Sequence, residues 1–354
     1  MKKTKVIVGA ALAAAVLPFA RCSAEAVGPR PFEMLLNFEN PVIAEDWPDP
    51  TVWDGGDGWR YSVATGLKKL KRSRDLVRWE DAGDPLTPEA RRTLTNLTRS
   101  VWAPSVTKVG AKWLLYVSLY VTGNDNRIEV LSADRPNGPF EHCGNVIRSQ
   151  AIRIGNTIDP YVLTVDGRVW MFFGSCMDGI HRVELTADGL AVKPGATPVH
   201  VAGRRFSQGA QWGKPGNWEG AYVFRRGDWW YLFASGGYFH NETYHMTVGR
   251  AKSVDGTFVD RQGRPMTAAQ AEPILRSDKG DRFYGPGHNG DVFSTADGRD
   301  WVFFHAHDRT RPRAADRPTL LQEIRWTPDG WPTFEGDKPA LKQTLAVGCR
   351  GPVS

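Results

Sequence analysis

Three acidic residues and one histidine stand at corresponding places in a pattern that the sequence repeats. Each precedes an apolar, strand-like run, and they are Asp49, Asp159, Glu219 and His288. Clustered carboxylates repel one another and raise one another's pKa, so fold stability alone would not select such a set. Hydrolysis of a glycosidic bond does need it, because one carboxyl must donate a proton to the leaving oxygen while another, ionised, activates water. A third carboxylate can orient the acid and keep it protonated.

Each of these residues taken alone has a plainer interpretation. Asp49 and Asp159 precede proline, as residues of turns commonly do. Glu219 alone could form a salt bridge, and His288 alone could be a buried histidine with satisfied hydrogen bonds. Because the four occur together in register, we interpret them as a candidate active site.

Five copies of one aromatic unit must position these residues. Each copy has a short lead, a strand, a Gly or Asp turn and a second aromatic strand. A second element that reads as a strand, a turn and an outer strand recurs at residues 71–80, 130–141 and 249–260, with a looser copy at 181–192. The valines that anchor the copies are spaced 54, 56, 61 and 69 residues apart, and they are Val52, Val106, Val162, Val223 and Val292. Two hairpins make a four-stranded blade, so the pattern predicts an all-β fold, a five-bladed β-propeller. A β-sandwich gives no reason for five copies in one order.

Propeller geometry explains why the candidate residues would meet. The innermost strand of every blade starts at the same end of the central channel, so the lead positions converge at one rim. Carboxylates on different blades would face each other across the channel, which favours the separation of about 6.5–9.5 Å that leaves room for water and predicts inversion. No break in composition divides the chain after its leader, so we expect residues 27–354 to form one domain.

The composition agrees with many short strands and turns. Among 354 residues are 14 Trp, 16 Phe and 9 Tyr beside 37 Gly and 24 Pro, which excludes a disordered chain, collagen and a long coiled coil. The net charge is +6, but residues 1–26 hold four basic residues against one acidic residue, and 6 − 3 leaves +3 for the remainder. We therefore expect no nucleic-acid partner.

The first 26 residues are typical of a secretory signal peptide. The basic start Met1–Lys5 precedes an apolar run, Val6–Phe19, that is too short to span a bilayer, and cleavage after Ala26 suits the small residues there. We expect export, to the periplasm or the medium, and no membrane span. Cys22 leaves lipid attachment open, although the bulky Arg21 before it fits that poorly.

Three further cysteines lie in the remainder of the chain. Cys143, Cys176 and Cys349 are an odd number without paired spacing. They predict neither a disulfide framework nor a zinc site, and at most one pair could close.

The order of the motifs resembles glycoside hydrolase family 43, from about Asn40 to Trp331. The motifs that carry the resemblance are Asp49-Pro50-Thr51-Val52, Lys71 to Trp79, Trp102-Ala103-Pro104, Asn156 to Pro160, Phe173-Gly174-Ser175, Trp218-Glu219-Gly220 and Gly285 to Asn289. Members of this family are inverting five-bladed propellers that act on arabinan and xylan side chains. Within the family the chain looks most like the arabinan endo-1,5-α-L-arabinosidases, through the stretch after Phe173, the segment Thr247 to Asp260 and the closing segment Trp326 to Trp331.

The resemblance implies a role for each candidate residue. Asp49 would be the general base, Glu219 the general acid, and Asp159 the residue that orients the acid and adjusts its pKa. Some positions depart from the family's pattern, since Pro48 precedes the base and Ala221 stands where the acid motif often has proline. These departures leave the subfamily and the preferred substrate length open.

The resemblance also implies sugar-binding and metal-binding residues. Trp102 would stack on a sugar ring, and Asn156 and Ser175 would bind hydroxyls. His288 would help hold a hydrated calcium ion on the propeller axis, with waters supplying most of the six to eight oxygens that calcium prefers. No organic cofactor is expected.

Three functional hypotheses follow. The first is an exported, monomeric, endo-acting arabinanase that acts on plant cell-wall polysaccharide, favoured by the lack of an appended β-sandwich. The second is an exo-acting α-L-arabinofuranosidase or β-xylosidase, if the basic segment 203–217 blocks one end of the cleft. The third is a sugar-binding propeller without turnover, and the three carboxylates count against it.

Overall fold

Strand pairing among the described residues gives five sheets of four or five strands that follow one another in sequence, together with one two-stranded ribbon. The computed structural model describes residues 35–98, 100–123, 125–209, 214–295, 297–313 and 316–347. All of these residues lie in one compact unit. Five radial meanders are the blades of a propeller, and the five-bladed β-propeller predicted from the repeats is confirmed. The predicted leader, Cys22 and Cys349 lie outside the described residues.

Four strands form each of the first four blades, and the fifth blade has one strand more. In blades 1 to 3 they are β2 (Thr51–Asp54), β3 (Arg60–Val63), β4 (Lys71–Ser73), β5 (Glu80–Asp81); β6 (Val101–Val109), β7 (Lys112–Leu119), β8 (Arg127–Ala133), β9 (Glu141–Arg148); β10 (Tyr161–Val165), β11 (Arg168–Phe173), β12 (Ile180–Leu185), β13 (Val199–Ala202). In blades 4 and 5 they are β14 (Trp218–Arg226), β15 (Trp229–Gly236), β16 (His245–Ala251), β17 (Pro273–Leu275); β18 (Phe283–Gly287), β19 (Val292–Ser294), β20 (Asp300–Asp308), β21 (Thr319–Trp326), β22 (Pro332–Thr333).

The first and last described strands pair with each other. In this ribbon β1 (Leu35–Glu39) runs antiparallel to β23 (Lys342–Ala346). The buried Asn40 amide donates to the carbonyl oxygens of Leu321 and Ala340, at 2.9 Å each. These bonds attach both ends of the described chain to blade 5.

Apolar side chains fill the junctions between neighbouring blades. One buried cluster lies at each junction, so five clusters close the ring. The anchor valines that defined the repeat are all buried, at 0–6% exposure. The aromatic strands recur because each blade must cover both of its neighbours, and burial of their apolar area drives the assembly.

Two short α-helices lie among the strands, and the sequence analysis did not predict them. Helix α1 (Pro88–Leu97) joins blades 1 and 2, and α2 (Ser149–Ile152) follows blade 2. The Thr87 hydroxyl caps α1 by accepting from the Ala90 amide, and proline at the first helical position is already in helical geometry. Single 3-10 turns occur at Cys176–Asp178, Phe206–Gln208, Met266–Ala268 and Glu335–Asp337.

The outer strand of blade 4 differs from the sequence expectation. The repeat placed it immediately after the turn at Gly256, near Val259. Val259 instead forms isolated bridges to Arg250 and Pro265, and β17 is the strand that pairs with β16. Among the described residues no helix is long and apolar enough to cross a membrane.

Candidate active site

One cavity of about 240 Å³ is lined by residues from all five blades. Its lining consists of Asp49, Thr65, Trp102, Ile158, Asp159, Ser175, Glu219, Phe239, His288 and Arg317. The cavity therefore brings together six of the seven predicted site residues. The seventh, Asn156, lies beside it: its amide donates to the Ser175 carbonyl at 3.2 Å and accepts from Asn126 at 2.8 Å.

The backbone is left-handed at the places where the blades present these residues. Positive φ angles of 54°, 38°, 56° and 47° occur at Asp49, Ala103, Asp159 and His288. Such angles are uncommon in residues other than glycine, and they cluster at functional sites because the surrounding fold must hold them. The left-handed residue precedes the inner strand in blades 1 and 3, whereas in blade 2 Ala103 lies within β6.

Blade 4 reaches the same turn with a glycine. Gly220 has φ 61° and lies three residues before its anchor valine, as Asp49 and Asp159 do, whereas Glu219 lies four before it. A Cβ at Gly220 would lie 3.1 Å from the ring of His288, so the close approach favours glycine. Counted from the anchor valines, Glu219 and His288 both lie one residue earlier than Asp49 and Asp159, yet both side chains line the cavity.

Asp49 is buried among basic groups. Its Oδ1 lies 3.2 Å from Arg317 Nη1, 3.2 Å from His305 Nδ1 and 3.4 Å from His288 Nδ1. The Thr65 hydroxyl donates to Oδ2 at 2.5 Å. Arg317 and the Thr65 hydroxyl favour a carboxylate that carries its negative charge, and the Asp49 amide donates to His305 Nδ1 at 3.1 Å.

The electrostatics keep Asp49 ionised. Burial alone would favour the neutral acid, but Arg317, followed by His288 and His305, outweighs it and holds the Asp49 pKa well below its ordinary value. Burial and the charge of Arg317 lower the pKa of His305 to about 3, so this imidazole is neutral at ordinary pH. Asp49 can thus accept a proton from a bound water, which is what a general base requires.

Glu219 meets only uncharged donors among its described hydrogen-bond partners. Its Oε2 accepts from the Ser175 hydroxyl at 2.9 Å and from the Cys176 thiol at 3.0 Å, and its Oε1 accepts from the Tyr244 hydroxyl at 2.6 Å. Hydroxyl groups can also accept hydrogen bonds, so the same partners can hold a protonated carboxyl. This environment fixes the side chain without a neighbouring cation to enforce ionisation.

Cys176 is a buried member of this set. Its backbone has φ 54°, and its side chain is 1% exposed. Burial, then the charge of Glu219, raises the pKa of the thiol well above its ordinary value, so the neutral S–H form is the donor. Cys176 and the exposed Cys143 are both free, and therefore they do not pair with each other.

Asp159 is the third buried acid of the cavity. Its Oδ2 accepts from the Gly220 amide at 3.3 Å, and its own amide donates to the Ser118 hydroxyl at 2.8 Å. Burial, with the charges of Glu219 and Asp49, raises the pKa of Asp159 to about 7, although His288 opposes the change. At neutral pH this carboxyl is close to the midpoint of its titration.

His288 contacts the candidate base and does not assemble a multi-ligand metal site. Among the described residues no group of three or more His, Cys, Asp or Glu could hold a metal ion. Asn289 Oδ1 is buried without a hydrogen-bond partner in the described part of the chain. One imidazole and one amide oxygen fall far short of the six to eight oxygens that calcium takes. The calcium ion stays a prediction, and no catalytic step is derived through it.

Several contacts of the site were not predicted from the sequence. They are made by Thr65, Tyr244, His305 and Arg317, which come from loops or from strands other than the inner ones. Arg317 is held by its backbone, which donates to the Asp46 carboxylate and accepts from the Trp47 amide. Only Cys176 had a signal, since it directly follows the Ser175 motif.

Comparison with known families and curated proteins gives consistent matches. Residues 38–332 match the family model described as "Glycosyl hydrolases family 43". An extracellular exo-α-(1→5)-L-arabinofuranosidase of Cellvibrio japonicus is 30% identical over 313 residues, which cover 82% of this chain and 86% of that protein. An extracellular endo-α-(1→5)-L-arabinanase of Bacillus subtilis is 24% identical, over 83% of this chain and 71% of that one.

Solved structures give a similar result. The α-L-arabinanase of Cellvibrio cellulosa in complex with arabinohexaose superposes with a TM-score of 0.70 at 27% identity, covering 82% of this chain and 96% of that one. An exo-1,5-α-L-arabinanase from a bovine ruminal metagenomic library gives 0.67 at 27% identity, with the same coverage of both chains.

Proposed function

This chain belongs to glycosyl hydrolase family 43 and is a glycoside hydrolase, and from that premise we propose that it hydrolyses α-1,5-linked L-arabinan with inversion. Asp49 is the general base and Glu219 the general acid. The observation that carries the assignment is the difference between their surroundings: Asp49 contacts Arg317 and two imidazoles, whereas Glu219 contacts two hydroxyls and a thiol. The names of the relatives support arabinan as the substrate.

The proposed reaction divides the chemistry between opposite sides of the sugar. Asp49 takes a proton from a water that attacks the anomeric carbon, while Glu219 delivers a proton to the departing glycosidic oxygen. The bond from carbon to the water oxygen forms as the bond to the leaving oxygen breaks, and each carboxyl changes its charge once. Asp159 orients the acid through the backbone, because its carboxylate accepts from the amide of Gly220, the residue that follows Glu219.

We propose endo action, with exo action as the alternative that the 30% identical relative favours. Linear α-1,5-arabinan digested by the enzyme is expected to give a ladder of short oligosaccharides at the earliest times, resolved by anion-exchange chromatography. Release of a single product, whether arabinose or one oligosaccharide, from the first time point would contradict endo action and support exo action.

The titration of the buried acids predicts the pH dependence. Asp159 retains its proton up to about pH 7, and its ionisation above that pH adds a negative charge to the buried group of acids. The value of kcat/KM should therefore fall above about pH 7, and it should persist on the acidic side because the pKa of Asp49 is lowered. Asp159→Asn removes the group that titrates there and should abolish the fall near pH 7. A fall near pH 7 that is unchanged in this variant would contradict the role of Asp159.

Export and the calcium ion complete the proposal. Relatives that are named extracellular support export, and mass spectrometry of the mature N-terminus tests cleavage after Ala26. For calcium the support is the resemblance and the position of His288 on the cavity wall. Dialysis against a chelator followed by calcium re-addition tests whether activity depends on the ion.

A further inference from the structure

A cavity of about 540 Å³ lies beside the outer strands of blade 3. Its walls come from the end of α2, from β12 and β13, and from the segments on either side of β13. The residues that line it differ from those that line the catalytic cavity. The volume lies within the range of about 300–1,000 Å³ that is usual for ligand pockets. No residue of the proposed mechanism lines this cavity.

Two arginines bring positive charge to this cavity. Arg153 follows α2, and Arg205 precedes the 3-10 turn Phe206–Gln208. Both side chains are exposed, and neither guanidinium forms an ion pair with a described residue. A guanidinium donates charge-assisted hydrogen bonds, often in pairs, to the oxygens of a carboxylate, a sulfate or a phosphate. Two of them at one cavity therefore suit an anion.

Asp178 holds the two segments that carry these arginines. Its carboxylate accepts from the Gly155 amide at 2.7 Å and from the Phe206 amide at 3.1 Å. Gly155 lies two residues after Arg153, and Phe206 directly follows Arg205. The carboxylate fixes both backbones and forms no ion pair with either guanidinium. The arginines are thus positioned by the fold before a ligand arrives.

Two histidines line the cavity beside the arginines. His181 of β12 and His200 of β13 are direct cross-strand partners, and their ring centroids lie 5.3 Å apart. His181 is 1% exposed, and both His181 Nδ1 and His200 Nε2 are buried without a hydrogen-bond partner among the described residues. Buried polar atoms are usually paired. Unpaired nitrogens in two adjacent rings therefore indicate a polar ligand at this wall.

The charges around the rings favour an anion over a metal ion. Burial, then His200 and Arg205, lowers the pKa of His181 to about 4, although Asp178 opposes the change. Burial and Arg205 also lower the pKa of His200, so both rings are neutral at pH 7. A neutral imidazole can donate an N–H or bind a metal. The arginines repel a cation, however, and no group of three His, Cys, Asp or Glu in the described ranges could hold a metal.

We propose that this cavity binds an oxyanion, with Arg153 and Arg205 as its charged partners and the rings of His181 and His200 as N–H donors. The carboxylate of an acidic sugar and a free inorganic anion share this chemistry. An acidic sugar bound here would attach the enzyme to an acidic polysaccharide while the catalytic cavity acts on a neutral chain. The proposal goes beyond the proposed function, since arabinan carries no charge, and it does not depend on it.

The test is isothermal titration of the protein at pH 7 and constant ionic strength, with sodium sulfate in one arm and oligogalacturonates in the other. Tighter binding of the oligogalacturonates identifies an acidic sugar as the ligand, and binding of sulfate alone identifies an inorganic anion. Arg153→Gln and Arg205→Gln each remove a charge-assisted hydrogen bond and should weaken the binding by about tenfold. Arg204→Gln is the matched control, because Arg204 precedes Arg205 but does not line the cavity, and it should bind as wild type does.

Two results would overturn the oxyanion site. The first is that neither sulfate nor the oligogalacturonates bind to the wild-type protein. The second is that Arg153→Gln and Arg205→Gln bind as wild type does, or that Arg204→Gln weakens binding as much as they do, which would reflect surface charge in general. Both cavity variants should hydrolyse linear arabinan at the wild-type rate. A wild-type protein that binds the anion but does not hydrolyse arabinan would overturn the proposed function alone.

Discussion

Glu219→Gln should lower kcat/KM on linear arabinan by about 10²–10⁴-fold, while binding of arabinohexaose stays nearly unchanged. The amide has the size of the carboxyl, so the contacts to Ser175 and Tyr244 can persist. It cannot deliver a proton to the glycosidic oxygen, so the leaving alkoxide would depart unprotonated. Initial rates of reducing-end release measure the loss, and isothermal titration with the hexaose measures binding.

The control for this variant is Glu242→Gln. Glu242 carries the same carboxyl on the same blade, but it pairs with Arg309 at the surface and does not line the cavity. It should retain wild-type rates. Near-normal turnover by Glu219→Gln would show that another group protonates the leaving oxygen.

Asp49→Asn should cause a loss of the same size, again about 10²–10⁴-fold in kcat/KM on linear arabinan. An amide cannot accept the proton of the attacking water. The substitution also removes the negative charge that faces Arg317. The thermal unfolding of the variant should therefore be measured together with its kinetics. Binding of arabinohexaose should survive, because the other walls of the cavity are unchanged.

Asp166→Asn is the matched control for Asp49→Asn. Asp166 has φ 49°, close to the 54° of Asp49, but it is exposed in the turn between β10 and β11. The pair therefore compares the same chemical change in the same backbone conformation, once inside the cavity and once outside. Equal activity of the two variants would show that Asp49 is not the general base.

The blades and the convergence of the acids could be predicted from the sequence because they follow from a repeat. Each unit must bury the same faces against its neighbours, so anchor valines and aromatic strands recur at a readable spacing, and symmetry brings the lead residues together. The requirement for glycine at position 220 could not be predicted, because it depends on the approach of the His288 ring.

The repeat does not predict which side chains surround each acid. Arg317 lies 268 residues from Asp49, and Tyr244 lies 25 from Glu219, and neither occupies a lead position. Their contacts depend on how particular loops fold over the axis, which no periodic pattern records. These contacts nevertheless support the proposed assignment of base and acid, which rests on the three-dimensional structure, whereas the candidate set comes from the sequence.

Activity against leaving groups of different basicity tests the division of roles most directly. Arabinan leaves as an alkoxide that needs a proton, whereas a dinitrophenolate departs without one. Measured on arabino-oligosaccharides and on dinitrophenyl α-L-arabinofuranoside, Glu219→Gln should lose the first activity and keep most of the second, and Asp49→Asn should lose both. Equal losses on both substrates by Glu219→Gln, or retention of the aryl activity by Asp49→Asn, would contradict the assignment of acid and base.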